Sequence, residues 1–202
     1  MEKMQYETKL SNNPTCAEIF QKVNARQLIA LMFHDQMADF FDFLGLMGFK
    51  RMHEYQSLKE AAEHRCVKRY YINHHNQLLE DMYVENPDVI PDNWYKYNRF
   101  DVTMQVRKNA VETAFERYRS WEAETKQFYC ECAQKLMTMG HVADFNKINS
   151  LINGVDMELK TLDRMIIDLK SCGYNEVYIA TMQDELHEKY RQLTKDIGID
   201  IC

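Results

Sequence analysis

Apolar residues recur at helical spacing over four long stretches of the chain, with polar residues between them. From Cys16 to about Leu44 the stripe is Ile19, Phe20, Val23, Leu28, Leu31, Met32, Phe40 and Phe43, the pattern of a helix with one buried face. Ser11-Asn12-Asn13-Pro14 precedes it as a stop, Thr15 stands where an N-cap belongs, and Gly45 and Gly48 mark its end. A second helix is expected from about Met52 to Tyr83, its stripe being Tyr55, Leu58, Ala62, Cys66 and Ile72. Arg65 and Arg69 interrupt that stripe and either snorkel or pair with carboxylates of a neighbour. The third, from about Asp101 to Met139, turns Tyr118, Trp121, Thr125, Phe128, Cys132 and Leu136 inward and stops at Gly140. The fourth runs from about Val142 to Ser171 on Ile148, Leu151, Ile152, Val155, Leu159, Leu162, Ile166 and Leu169, and Gly173 closes it. A shorter fifth helix follows over about Glu176 to Lys195.

The second and third helices are separated by a polar stretch from Val84 to Phe100 that carries two prolines. A connection of that length spans a bundle from end to end, so two hairpins pack side by side. Residues 1–14 read as a flexible arm and residues 15–202 as a single domain. With 202 residues the chain can bury a core without staples. Six glycines and three prolines are too few for a protein rich in strands and turns, so the class is all-α.

Charge and cysteines narrow the partners. The net charge is −6, and both signs are mixed along the helices with no basic face, which argues against nucleic acid. No run approaches the roughly 20 apolar residues of a membrane span, and Met1 to Thr8 lack a signal-peptide core. A cytoplasmic protein with no membrane partner is expected. Cys16, Cys66, Cys130, Cys132, Cys172 and Cys202 form no C-x-x-C pair, and four or five of the six read as small hydrophobes or idle thiols. Cys130 and Cys132 diverge by about 200° on a helix and cannot point one way.

Two stretches bring in a family. Gln27-Leu28-Ile29-Ala30, the helix end at Gly45, Glu54-Tyr55 and the helix through His64 resemble the first hairpin of bacterioferritins and ferritins. Glu158-Leu159-Lys160 and the run from Asp168 through Gly173-Tyr174 resemble their fourth helix and its glycine-terminated turn into a short fifth helix. With the long crossover, the likeness extends from about Ala25 to Met182. It implies a ferritin-like four-helix bundle with one long crossover and a short C-terminal fifth helix, assembling as a homo-oligomer.

Ferritin-like di-iron sites take a Glu from each of two helices and a Glu-x-x-His from each of the other two. Matched to this chain, the first-helix Glu falls at Gln27. The second-helix pair falls at Ala61 and His64, and the third-helix Glu at Glu122, with Glu124 as its rival. The fourth-helix pair falls at Val155 and Glu158. Both bridging carboxylates are replaced, and two cations cannot be held close together without negative charge between them. The resemblance therefore implies that the usual ferroxidase centre is absent.

Two readings remain for His64, Glu122 and Glu158. They hold one divalent ion, Fe, Mn or Zn, with water completing its shell. Alternatively they hold none, and a His64 imidazolium hydrogen-bonds to one or two of the carboxylates. The corresponding functions are a divergent ferritin-like protein with an incomplete di-iron site, binding one metal ion or none, and a non-enzymatic structural or interaction protein on the same bundle, with another protein as partner.

Other candidates have plainer explanations. His34, Asp35 and Asp39 read as a solvated face, or as half of an intersubunit site of the kind found in starvation-induced mini-ferritins. The neighbours His74 and His75 diverge by about 100° and suit the negative end of a helix. His187-Glu188 lacks the second histidine of H-E-x-x-H.

Overall fold

The computed structural model describes residues 9–90 and 92–196, so readings that rest on Met1 to Thr8, Pro91 or Cys202 lie outside the described residues. Each helix starts and stops for a local reason. Thr15 accepts the Glu18 backbone N–H through Oγ1 at 3.1 Å and starts α1 (Cys16–Phe43). Thr103 does the same for the Val106 N–H at 3.3 Å and starts α3 (Met104–Thr138). The turn into α4 (Val142–Ser171) passes through Gly140 at φ +78°, a conformation that costs residues with a Cβ about 1 kcal/mol or more. Helix α5 (Glu176–Asp196) follows.

Helix α2 (Met47–His75) departs most from expectation. It starts five residues before the expected Met52, and Asn76 in the left-handed region (φ 54°) ends it well before Tyr83. Gly48 is inside the helix and not a break. A Cβ there would collide with the backbone of Gln183, so the missing side chain lets α5 lie against α2. The Tyr55 and Tyr190 rings lie tilted against each other, with centroids 5.2 Å apart, and extend the same contact.

The helices pair as α1 with α2 and α3 with α4, and α5 adds to α2. The crossover from Asn76 to Thr103 contains two 3-10 turns, Asp92–Lys96 and Arg99–Asp101. It is held along the bundle by the Val89 N–H donating to Gln36 Oε1 at 3.3 Å, by Arg117 donating to the Val89 carbonyl, and by Trp94 edge-on to Phe40 at 5.0 Å. No strand occurs among the described residues, and no described helix is long and apolar enough to cross a membrane.

The core is divided in two. One apolar cluster, around Phe33, Phe41, Phe49, Phe115 and Trp121, fills the half of the bundle near the α1–α2 turn. The other, around Ile19, Phe20, Val67, Leu136 and Ile148, fills the opposite half. Polar side chains occupy the level between them and the edge of the first cluster.

Candidate functional site

Helix periodicity places the central polar belt. On α2 the inward line is Phe49, Met52, His53, Gln56, Glu60, Glu63, Val67 and Tyr71, at spacings of three and four. On α1 the same logic puts Arg26, Gln27, Ile29, Ala30, Phe33, His34 and Met37 inside. Helix α3 contributes Tyr118, Trp121, Glu122 and Thr125, and α4 contributes Val155 and Glu158.

Lys59 is the cation at the centre of the acids. Its Nζ pairs with Glu158 and lies 3.7 Å from a Glu63 oxygen, and its side chain is only 23 % exposed. Burial alone would depress its pKa, but Glu158, Glu63 and Glu60 outweigh that and raise it, so the ammonium stays charged. Four glutamates share this one ammonium. Burial raises Glu60, Glu63 and Glu158 above the usual carboxylate range, with mutual repulsion adding to it. Burial pushes Glu122 up to about 7 against the pull of Lys59 and Arg26. Arg26 itself is committed elsewhere, donating to Thr125 Oγ1 at 2.7 and 2.9 Å and lying 3.6 Å over the Trp121 ring.

A histidine pair borders the belt. His34 and His53 are fully buried and face each other Nδ1 to Nδ1 at 2.9 Å, so one donates and the other accepts. Burial brings His34 down to about 4 and also depresses His53, which leaves both rings neutral at physiological pH. The far nitrogen of His34 is 3.7 Å from Glu122 Oε1. Gln27 is completely buried, and neither its amide nitrogen nor its oxygen has a hydrogen-bond partner among the described residues.

Of the residues expected from the sequence, Glu122 and Glu158 lie in this belt, where their charges couple. Glu122 is 3 % exposed, whereas Glu124 faces solvent and accepts from Ser120, which decides between the two. His64 is elsewhere. It is one position past Glu63, about 100° around the helix, and its Nδ1 meets the Asn24 carbonyl at 3.1 Å. Its charged neighbours are Lys68, Asp81 and Arg65 rather than the glutamates. The residues of α2 that do enter the belt are Glu60 and Glu63. Asp35 and Asp39 are exposed as expected, but His34 is not on a solvated face. Its place seven residues after Gln27, two helical turns on, is the signal that would have found it.

A second ligating cluster lies at the far end of the bundle, where α1 and α4 begin and α2 ends. Ligand atoms of Cys16, His141 and Asp144, and of His74, His75 and Asp144, come within 4.8 Å of one another. No three ligand atoms of the central belt converge that closely among the described residues.

Helix α1 presents a neutral amide at Gln27, α4 presents Val155 at the position matched to a bridging carboxylate, and the Lys59 ammonium pairs with Glu158 and Glu63. The bundle itself closely resembles solved structures. An open-pore ferritin from Archaeoglobus fulgidus matches with a TM-score of 0.71 at 16% identity, over 89% of this chain and 98% of that one. The apo-ferritin of Pseudo-nitzschia multiseries matches with a TM-score of 0.68 at 12% identity, over 86% and 98%. No family model and no curated protein sequence matches the chain. At such identities the likeness speaks for architecture, and the architecture is the ferritin-like four-helix bundle.

Proposed function

We propose that this chain is a ferritin-like bundle that holds one divalent cation in its central belt and does not carry out two-metal ferroxidase chemistry. The observation that carries this reading is the gathering of two buried glutamates, Glu60 and Glu122, and two half-buried ones, Glu63 and Glu158, around the half-buried Lys59. When all are ionised, four carboxylates against Lys59 and Arg26 leave two negative charges, the charge of one divalent ion. Without an ion, the raised carboxyl pKa values mean that protons fill the same role.

Glu122 and Glu158 are the first ligands in this reading, with Glu60 or Glu63 beside them. Oxygen donors of this kind suit Mn or Fe, and Zn less well. His64 is left to its structural bond with Asn24. Assembly into a homo-oligomer is part of the proposal, supported by large apolar side chains on the surface: Tyr83, Phe100 and Met104 are 88%, 94% and 65% exposed. The same surface favours the second reading, an interaction protein in which Lys59 has permanently replaced the metal.

The test is electron paramagnetic resonance of chelator-treated protein titrated with Mn2+, beside oxygen uptake on adding Fe2+. One magnetically isolated Mn2+ per chain, lost in Glu122→Gln and Glu158→Gln, and no rapid oxygen uptake are expected. An exchange-coupled Mn pair, or fast Fe2+ oxidation, would overturn the proposal. Failure to bind Mn2+ at all would leave the interaction protein as the better description.

A further inference from the structure

Where α1 and α4 begin and α2 ends, four side chains from three helices gather on one carboxylate. Asp144 is 1 % exposed. Its Oδ1 is 3.0 Å from His75 Nε2, and its Oδ2 is 3.0 Å from His141 Nδ1 and 3.4 Å from Cys16 Sγ. Cys16 Sγ and His75 Nε2 are themselves 3.8 Å apart. The Tyr70 hydroxyl donates to Oδ1 at 3.0 Å and completes the surroundings.

We propose that Cys16, His75, His141 and Asp144 form a site for one tetrahedral zinc-type cation. The donor set is the basis. A thiolate, two imidazoles and a carboxylate are the ligand types that Zn2+ takes, and four protein ligands with no open position make a structural site rather than a catalytic one. Charge agrees, because Cys16 thiolate and Asp144 together balance a divalent ion. His75 and His141 supply ring nitrogens, and Tyr70 is the outer partner that orients the carboxylate. Burial and the neighbouring Asp144 push the free thiol up to about 12, so Cys16 is protonated until a metal arrives. Binding then breaks the S–H bond, forms an S–metal bond and releases one proton to solvent, with no change in oxidation state. The ion would tie together the ends of three helices whose polar link at this point is the hydrogen bonding around Asp144.

This site is independent of the central belt, and the probes separate the two. Mn2+ reports on the oxygen-rich belt, while Co2+ substitutes for zinc and reveals sulfur ligation. Full-length, chelator-treated protein is titrated with Co2+ and followed by its visible and near-ultraviolet spectrum. Intense tetrahedral d–d bands with a sulfur-to-cobalt charge-transfer band are expected, and one equivalent of Zn2+ should bleach both. Cys16→Ser should remove the charge-transfer band and weaken Zn2+ binding by at least about a hundredfold. His141→Ala should weaken it similarly. A weak six-coordinate spectrum, a charge-transfer band that survives Cys16→Ser, or no Co2+ binding would overturn the proposal. Circular dichroism of Cys16→Ser, expected to match the parent, keeps a folding failure from passing as lost ligation.

Discussion

The two acidic regions of this bundle treat their carboxyl groups in opposite ways. In the central belt, four glutamates share one lysine, and burial raises every one of them. At the bundle end, burial acts on Asp144 in the same direction, but hydrogen bonds from His75, His141, Tyr70 and Cys16 outweigh it and hold the carboxyl below the usual range. Burial alone therefore does not decide the charge of a buried acid. The ratio of donors to carboxylates does, and that ratio is favourable at the bundle end and poor in the belt.

The largest break in this comparison comes from Lys59→Met. Removing the ammonium leaves Glu158 and Glu63 without a cation and should cost about 3 to 5 kcal/mol at pH 8. Urea unfolding should show a smaller loss at pH 5, where the carboxyls take up protons. A loss that does not depend on pH would mean that Lys59 acts through packing instead.

Glu122→Gln should act in the other direction. The folded state keeps the Glu122 proton up to about 7, while an unfolded chain loses it near the ordinary 4.5. Glu122 therefore lowers stability as pH rises through that window, with the whole penalty present above pH 7. Replacing it with a neutral amide should gain about 3 kcal/mol above pH 7 and almost nothing below 4.5.

At the bundle end Asp144→Asn should cost about 2 kcal/mol at neutral pH, because it removes the charge and one of the two oxygens that four half-buried donors share. Its pH dependence should mirror that of the belt. Asp144 has a folded pKa below its ordinary 3.8, so its contribution is present above that value and is lost as pH falls through the folded one. Thermal melts of parent and variant should converge in strong acid. The smallest effect, about 1 kcal/mol, is expected for Thr15→Ala, which removes the cap that starts α1 beside Cys16.

Much of the architecture could be read directly. The bounds of α1 and α4 agree with expectation to within a residue, because an apolar stripe and a capping or glycine signal coincide at their ends. Helix α2 was misread for a physical reason. Its inward line includes His53, Gln56, Glu60 and Glu63, so hydrophobic periodicity carries no phase there. Leu58 and Ile72, taken as core, are 43% and 39% exposed. A rotation of one residue was enough to set His64 in place of Glu63.

The amino-acid sequence by itself determined an all-helical chain, two hairpins, one long crossover and a fifth helix, because these follow from local periodicity, caps and turn residues. It narrowed the α3 carboxylate to Glu122 or Glu124, and the fold chose Glu122, which is 3 % exposed. Only the tertiary structure decided that Lys59 sits among the glutamates, that His34 meets His53, and that Cys16 lies 3.4 Å from Asp144 across 128 positions of chain. These contacts join helices that approach only when the bundle closes, and spacing along one helix cannot record which polar residue of another will face it.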